Sequence, residues 1–180
     1  QTERQFARTI EEILNSPARA LILDLRNNPG GYLDQAVKIA GWFLQKGEVV
    51  LMEDEGSGEP KVCDDCRAEG NGRLSDFPVV ILINEGSASA SEILAGALRD
   101  HLGVKLIGEK TFGKGSVQTL ENFRDGSSLK ITVAKWLTPK GTSIAEAGLT
   151  PDITVELTDE DQKAGRDPQL DRAVELLKEQ

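Results

Sequence analysis

Three serines crowd the predicted start of one helix, where a nucleophile could be presented. Ser87, Ser89 and Ser91 follow the apolar run 79–83, VVILI, which predicts a strand covered on both faces. Residues 93–102 then carry apolar side chains at helical spacing. The first backbone N–H groups of a helix lack intrahelical partners and carry the positive end of its dipole. A serine lifted above the sheet edge at such a turn could therefore act as a nucleophile.

A hydrolytic serine also needs a base, and the sequence offers one histidine. His101 lies at the far end of the same predicted helix, so about 18 Å of helix rise separates it from Ser89. This separation argues against a Ser-His triad. We interpret His101 as a residue of the helix C-terminus, where the dipole favours a basic side chain.

A neutral lysine is the alternative base, and Lys114 is the candidate. It lies between Gly113 and Gly115, which permit a close backbone approach and an unusual loop path. An ordinary lysine has a pKa of about 10.4, so a basic amine at neutral pH requires apolar surroundings. Phe112 and Val117 could form them. On its own, Gly-Lys-Gly more commonly marks a solvated loop lysine or a phosphate contact, although no Walker pattern surrounds it.

A second strand-to-helix corner could bind an anion. The run Ala20–Leu25 predicts a buried strand that leads into Arg-Asn-Asn-Pro-Gly-Gly at 26–31, and a helix is predicted over Leu33–Gln45. Paired glycines at a helix entrance leave backbone N–H groups unobstructed. The same residues would also serve as a simple turn between the strand and the helix.

Strands and helices alternate along the chain, which predicts an α/β domain with a mixed sheet, flanking helices and a later β-hairpin. The predicted helices cover Gln1–Asn15, Leu33–Gln45, the segment from near Ser89 to Leu102 and the segment that starts at Asp167. The predicted strands are Ala20–Leu25, Glu48–Met52, Val79–Ile83, Val104–Gly108, Ser116–Phe123, Ser128–Leu137 and Asp152–Leu157. Residues 53–76 predict a long surface excursion, mobile or partly ordered by a neighbour. We find no second core, so residues 1–180 are predicted to form one domain.

Composition argues against several classes of function. The 180 residues carry a net charge of −9 with scattered Lys and Arg, whereas nucleic-acid binding needs a basic stripe, so no nucleic acid is expected as a partner. No run of about eighteen apolar residues predicts a membrane span. Cys63 and Cys66 with His101 fall short of the four ligands of a structural zinc site, so no metal site within one chain is expected. A local disulfide or incidental pair, a metal shared with another chain, and redox chemistry remain as interpretations of the cysteines.

Three motifs, in their order along the chain, resemble the carboxyl-terminal processing proteases, also called tail-specific proteases, a family of serine-lysine peptidases. The motifs are DLRNNPGG at 24–31, NEGSASASEILAGAL at 84–98 and GEKTFGKGSVQT at 108–119. The resemblance extends to LTPKG and GLTPDI after the predicted hairpin and so covers nearly the whole chain. It implies a crotonase-like α/β core.

The resemblance also implies roles for five residues. The family's nucleophile precedes Ala-Ser-Glu and lies 25 residues before the lysine of Gly-Lys-Gly, which corresponds to Ser89 and Lys114 here. Gln118 is implied to orient the lysine, and residues four apart on an extended segment do share a face. The oxyanion hole is implied to consist of backbone N–H groups of Ala90 and of the Asn-Pro-Gly-Gly corner, for which we predict Gly31.

Substrates, partners and setting are further expectations from the resemblance. They are cleavage of proteins with unstructured C-terminal tails through an acyl-enzyme, no metal or cofactor, and an extracytoplasmic setting such as the bacterial periplasm or cell envelope. Family members normally carry an upstream PDZ domain, which these 180 residues lack, so we expect one in the full-length protein. A homo-oligomer is one option. Asp100 matches an influential position in some relatives and is equally well interpreted as a surface acid at a helix end.

Two other functions stay open. A non-proteolytic peptide- or ligand-binding module on the same fold would not need Ser89, Lys114 and Gln118 together. A crotonase-like acyl-thioester enzyme could use the Gly30-Gly31 corner as its oxyanion site. It would bind coenzyme A and would be indifferent to Lys114→Ala.

Overall fold

The computed structural model describes residues 2–56 and 58–179, and its strands form two sheets. The first sheet consists of β1 (Leu21–Asp24), β3 (Val79–Ile83), β4 (Lys105–Gly108) and β7 (Ile153–Thr154), paired in parallel in that order. The second consists of β2 (Met52–Asp54), β6 (Ser128–Leu137) and β5 (Ser116–Asn122), paired antiparallel in that order. The predicted mixed α/β architecture with a hairpin is confirmed.

The described residues also form five helices. They are α1 (Thr2–Leu14), α2 (Leu33–Ala40), α3 (Ala90–Leu102), α4 (Asp159–Lys163) and α5 (Pro168–Lys178). The sequence patterns predicted four of them, and the short α4 was missed. Across the part of the chain that the structure describes, no helix has the length and apolarity that a membrane crossing requires.

Strand β3 lies at the centre of the fold, and all five of its side chains are buried. Its odd-numbered residues join the larger hydrophobic core, to which α2 and α3 contribute. Its even-numbered residues join a second cluster that includes Ala173 of α5 on the opposite face. Helices therefore cover both faces, which is why the strand is an unbroken apolar run instead of an alternating one. The prediction of a strand covered on both faces is confirmed.

Parts of the 53–76 segment pack onto the core, while most of its described residues are exposed or half-buried. Cys66, Ala68 and Leu74 are buried, and the Cys66 carbonyl accepts a 2.8 Å hydrogen bond from the Val50 N–H. Cys63 and Cys66 form a disulfide, one of the alternatives left open by the sequence. The segment is rich in Gly, Asp and Glu, but its few apolar residues pack against the core.

The same segment ends helix α2 earlier than predicted. The Gly72 N–H donates to the Gly41 carbonyl, and the Leu74 N–H donates to the Trp42 carbonyl. These carbonyls follow the last helical residue, Ala40, and their partners lie about thirty positions further along the chain. A long-range pairing of this kind cannot be predicted from helical periodicity alone.

Arg26 ties the end of β1 to the start of α5. Its guanidinium donates two hydrogen bonds of 2.9 Å to the Asp167 carboxylate and further bonds to Asp24 and Gln169. Asp167 also caps α5 by accepting a bond from the Leu170 N–H. Hydrogen bonds from Arg26 hold the pKa of the Asp167 carboxyl below its ordinary value. The ion pair therefore favours the folded state wherever that carboxyl is ionised.

We expect Asp167→Asn to lower the free energy of unfolding by about 1–2 kcal/mol at pH 7, because asparagine keeps the helix cap but loses the ion pair. The folded-state pKa is depressed, so this contribution is complete above the ordinary carboxyl pKa of about 3.9 and disappears as pH falls through the lower folded value. Urea unfolding of both proteins at pH 7 and at about pH 3 checks this. Asp171→Asn, at an exposed position of α5, is the control. Equal stability of wild type and Asp167→Asn at pH 7 would contradict it.

Candidate active site

Two of the three serines in the turn between β3 and α3 donate their hydroxyl protons to backbone carbonyls of the neighbouring corner. The Ser87 hydroxyl donates to the Leu25 carbonyl at 2.7 Å, and the Ser91 hydroxyl donates to the Asn28 carbonyl at 3.1 Å. The hydroxyl protons of Ser87 and Ser91 therefore connect this turn to the neighbouring strand-to-helix corner. Ser89 is the residue immediately before α3 and has a φ of 55°, a left-handed value that non-glycine residues adopt rarely. The structure thus favours Ser89 as the nucleophile of this turn.

The two strand-to-helix corners meet side by side. The Asn28 carbonyl accepts a 3.0 Å bond from the Ala88 N–H, and the Asn28 side chain accepts the Gly30 N–H, also at 3.0 Å. The N–H groups of Gly31 and Ala90 donate no hydrogen bond to any atom of the described residues. Two unused donors next to the nucleophile are what an oxyanion hole requires. The geometry supports Gly31 over Gly30, and the assignment of Gly31 and Ala90 stays a prediction.

Gly30 is the point of closest approach between these corners. Its φ is +84°, and a Cβ atom on it would lie 2.4 Å from the Ala88 carbonyl oxygen and 2.6 Å from the Ala90 nitrogen. Both are backbone atoms of the nucleophile turn and cannot rotate away. Only glycine fits at this position without moving the two corners apart.

The loop that carries Lys114 lies against the nucleophile turn. The Phe112 N–H donates to the Ser87 carbonyl at 3.0 Å. A Cβ on Gly115 would lie 2.4 Å from the Ala145 nitrogen, so this glycine does allow the close backbone approach predicted from the sequence. The structure therefore brings the loop of the candidate base beside the turn of the candidate nucleophile, although the two are distant in sequence.

The surroundings of the Lys114 side chain differ from the prediction. Lys114 is exposed, Phe112 is 68% exposed and Val117 is only half-buried, so the apolar walls expected from these two residues are not formed. The backbone of the loop packs inward, and its apolar side chain points to solvent. The prediction of walls was wrong because the sequence shows which side chains are apolar but not which way a loop directs them.

Gln118 lies on β5 and its amide donates to the Thr132 hydroxyl at 3.3 Å. Lys114 precedes the strand, which begins at Ser116, so the argument that residues four apart share a face does not extend to it. The role of Gln118 in orienting the lysine stays a prediction.

Glu92 is a functional candidate that the sequence analysis missed. Its side chain is completely buried and accepts four hydrogen bonds. One oxygen accepts from the Thr111 hydroxyl at 2.5 Å and from the Gly113 N–H at 2.7 Å. The other accepts from the Ser89 N–H at 2.8 Å and from the Lys114 N–H at 3.0 Å. A single carboxylate thus holds the backbones of the candidate nucleophile and the candidate base.

A local signal for Glu92 was present in the sequence. Ser89 and Glu92 have the spacing of a capping box, in which an acidic side chain at the third helical position accepts the N–H of the residue before the helix. That pattern would have predicted the bond to the Ser89 N–H. The bonds to the lysine loop, about twenty residues away, could not have been predicted from it.

We expect Glu92→Gln to lower kcat, for the proteolysis that the family resemblance implies, by about 10²-fold or more. The amide nitrogen that replaces one carboxylate oxygen cannot accept the two hydrogen bonds of that oxygen and meets at least one N–H donor instead. KM should change much less, because Glu92 is buried. The kcat and KM values are measured beside a urea melt, which gives the folded fraction. Glu12→Gln, the same change at an exposed position of α1, is the control. A kcat loss explained entirely by unfolded protein would contradict a positioning role.

His101 and Asp100 lie at the opposite end of α3 from Ser89. The His101 ring is 2.7 Å from the Val49 carbonyl oxygen, and the Asp100 carboxylate accepts the Lys140 N–H at 2.8 Å. Both stabilise chain connections there, and the prediction that His101 takes no part in a triad agrees with its position. Among the described residues, no three His, Cys, Asp or Glu side chains are grouped to hold a metal ion.

Comparison with known proteins places the chain among peptidases. The model of peptidase family S41 matches residues 1–155. A probable CtpA-like serine protease of Staphylococcus haemolyticus is 48% identical over 137 residues, which are 76% of this chain and 27% of that protein. Its counterpart in Staphylococcus aureus strain COL is 48% identical over 140 residues, 77% of this chain and 27% of that protein. The chain therefore spans about a quarter of the length of these curated relatives.

Solved structures share the fold. The photosystem II D1 C-terminal processing protease matches with a TM-score of 0.76 and 37% identity, over 86% of this chain and 39% of that one. Mature CPAF complexed with lactacystin matches with a TM-score of 0.75 and 16% identity, over 98% of this chain and 46% of that one. At that identity, the second match shows only the fold.

Proposed function

The chain belongs to peptidase family S41, and on this basis we propose that it is a serine endopeptidase that cleaves proteins near their C-termini. The observation that carries the proposal is the corner at Ser89, where a serine with left-handed backbone stands beside two unused N–H groups, those of Gly31 and Ala90. A nucleophile beside preorganised donors is the arrangement that acyl transfer requires.

The proposed reaction uses Ser89 and Lys114 as a dyad. The Ser89 oxygen attacks the carbonyl carbon of the scissile bond, and its proton passes to the neutral Lys114 amine. The N–H groups of Gly31 and Ala90 hold the negative oxygen of the tetrahedral intermediate. The lysine then gives its proton to the departing amine, which leaves an acyl-enzyme. Water, deprotonated by the same lysine, releases the acyl group and restores the serine.

Substrate binding would supply the apolar surroundings that the free enzyme does not give the lysine. Lys114 and the Phe112 ring are both exposed on the loop beside the nucleophile turn. An extended peptide lying across that loop would cover both side chains and exclude water, which favours the neutral amine.

Cleavage near C-termini is the finer part of the proposal. It is supported by the 37% identity to a protein whose name describes C-terminal processing, and by the three sequence motifs described above. The substrates would be proteins with unstructured tails. A disordered segment can adopt the extended conformation needed to lie between the Gly30-Gly31 corner and the Ser89 turn.

We also propose that the chain works outside the cytoplasm. The disulfide between Cys63 and Cys66 supports this, because disulfides persist in oxidising compartments. Alkylation of the native protein without reductant tests it, and two freely alkylated thiols in freshly isolated protein would count against it.

Two measurements test the peptidase proposal. A fluorophosphonate probe should label the chain at Ser89, located by peptide mass spectrometry. A folded carrier protein with an appended disordered tail should lose only the tail, at a bond located by intact-mass measurement. Binding of the tail without cleavage or labelling would instead favour a non-proteolytic module. Labelling without any peptide cleavage, together with coenzyme A binding, would favour a thioester enzyme.

A further inference from the structure

The two strand-to-helix corners approach each other at a second point besides Gly30. Gly86 in the nucleophile turn lies against Asn27 of the neighbouring corner, and a Cβ atom on Gly86 would lie 2.7 Å from the Asn27 Oδ1 atom and 2.8 Å from the Asn27 Cα atom. The missing side chain of Gly86 therefore permits this contact, as that of Gly30 permits the first. Contacts at two separate points restrict the relative orientation of the corners more than either contact does alone.

The Asn84 side chain connects the corners at this second point. Asn84 is half-buried and is the first residue after β3. Its Oδ1 atom accepts the Asn27 N–H at 2.8 Å, across the two corners, and the Gly86 N–H at 3.0 Å, within its own turn. Its Nδ2 atom donates to the Asn27 Oδ1 atom at 3.1 Å. One amide oxygen thus joins the backbone of one corner to the backbone of the other.

The candidate oxyanion donors follow these hydrogen bonds closely along the chain. Gly31 lies four residues after Asn27, and Ala90 lies four residues after Gly86. A shift of one corner against the other at Asn84 would therefore also shift the Gly31 N–H relative to the Ala90 N–H. The side chains of Asn27 and Asn84 line a polar cavity of about 540 Å³, whereas Gly31 and Ala90 line a separate one. Asn84 is thus placed to act on the donors through the backbone and not by contact with the attacked carbonyl.

We infer that Asn84 is a positioning residue, whose hydrogen bond to the Asn27 N–H sets the separation of the Gly31 and Ala90 N–H groups. The inference rests on the proposed peptidase function. An oxyanion hole works through donors that are placed in advance, so a small change in their separation lowers kcat more than it weakens substrate binding. The alternative is a purely local role, in which Asn84 only completes its own turn through the Gly86 N–H.

Replacing Asn84 with serine separates the two roles. The serine hydroxyl can still accept the N–H two residues further on, but it ends one bond short of the Asn84 oxygen and so loses the bond across the corners. We expect Asn84→Ser to lower kcat for tail cleavage about 10- to 100-fold while KM changes less than about 3-fold. Asn84→Asp keeps an acceptor oxygen at that position and should stay within about 3-fold of the wild-type kcat. Urea unfolding of each variant gives the folded fraction.

Two changes at the neighbouring contact keep the test decisive if Asn84→Ser folds poorly. Asn27→Gly removes the amide–amide bond but keeps the N–H that Asn84 accepts, and glycine adopts the φ of 55° readily. It should therefore stay within about 3-fold of the wild-type kcat, because the backbone link is retained. Gly86→Ala forces the corners apart at the same point and should lower kcat about 10- to 100-fold.

Asn71→Ser is the matched control, because the exposed Asn71 side chain likewise accepts the N–H two residues further on, that of Arg73, at 3.2 Å. It should keep the wild-type kcat. Probe labelling at Ser89 with unchanged kcat in Asn84→Ser and Gly86→Ala would overturn this inference and leave the peptidase proposal standing. An equal loss of kcat in Asn84→Asp, or a loss in Asn84→Ser explained entirely by unfolded protein, would also overturn it. Absence of both labelling and cleavage in the wild type would overturn the two proposals together.

Discussion

Replacing Lys114 with alanine should lower kcat for tail cleavage by about 10³- to 10⁴-fold, the range expected when an enzyme loses its general base. The Lys114 backbone is held by Glu92 beside the Ser89 backbone, and this contact uses only the Lys114 N–H, which alanine retains. The loop should therefore keep its path, and the loss should come from the missing amine. Single-turnover cleavage, with folding checked by urea unfolding, measures it.

Three comparisons make the Lys114 result specific. Lys110→Ala removes an exposed lysine from the same loop and should keep wild-type activity. Ser89→Ala should lose about as much activity as Lys114→Ala, and the double variant should lose little more, because the two residues would act as one unit. Lys114→Ala with near wild-type turnover would remove the dyad from the mechanism.

Replacing Gly30 with alanine should lower kcat/KM by about 10²- to 10³-fold, comparable to the loss of an oxyanion-hole donor. The added methyl group would lie 2.4 Å from the Ala88 carbonyl oxygen and 2.6 Å from the Ala90 nitrogen. The two corners must separate to relieve this overlap. The N–H groups of Gly31 and Ala90, which we propose hold the same oxygen atom, would then move apart.

Gly126→Ala separates this steric effect from backbone strain. Gly126 has the same φ of +84°, but nothing lies within 4 Å of the position that a Cβ would occupy. Both variants should lose about 1–2 kcal/mol of stability from the left-handed backbone, and only Gly30→Ala should lose activity beyond that. A peptide boronate, which mimics the tetrahedral intermediate, should bind Gly30→Ala more weakly in proportion to the loss of kcat/KM. Equal activity of the two variants would show that the corners need not touch.

The sequence predicted those parts of the fold that local patterns determine. The bounds of β3 and β6 and the last residue of α3 agree with the prediction, since an apolar run and a helical period each lie within one segment. Helix α2 ends early because backbone groups near residue 72 bind the chain after Ala40. Strand β2 begins at Met52 instead of Glu48 because its partner is β6. Both differences come from contacts between distant segments.

The same distinction applies to the candidate site. The types and spacing of Ser89 and Lys114 follow from the sequence, and the structure adds that their backbones share Glu92. The exposure of Lys114 and of the Phe112 ring could not be predicted, because it depends on the direction a loop takes over the surface. The Asn28 side chain accepts the Gly30 N–H, and the sequence likewise could not show which N–H of this glycine pair has a partner.

The left-handed backbone of Ser89 restricts which residues can replace the proposed nucleophile. At a φ of 55°, a side chain branched at Cβ collides with its own main chain, whereas an unbranched one is tolerated. Threonine, the closest chemical relative of serine, is therefore a poor replacement here, and cysteine is the accessible one. Replacement of Ser89 by cysteine could therefore give a thiol peptidase with the same turn. A threonine nucleophile would require a different backbone conformation of the turn.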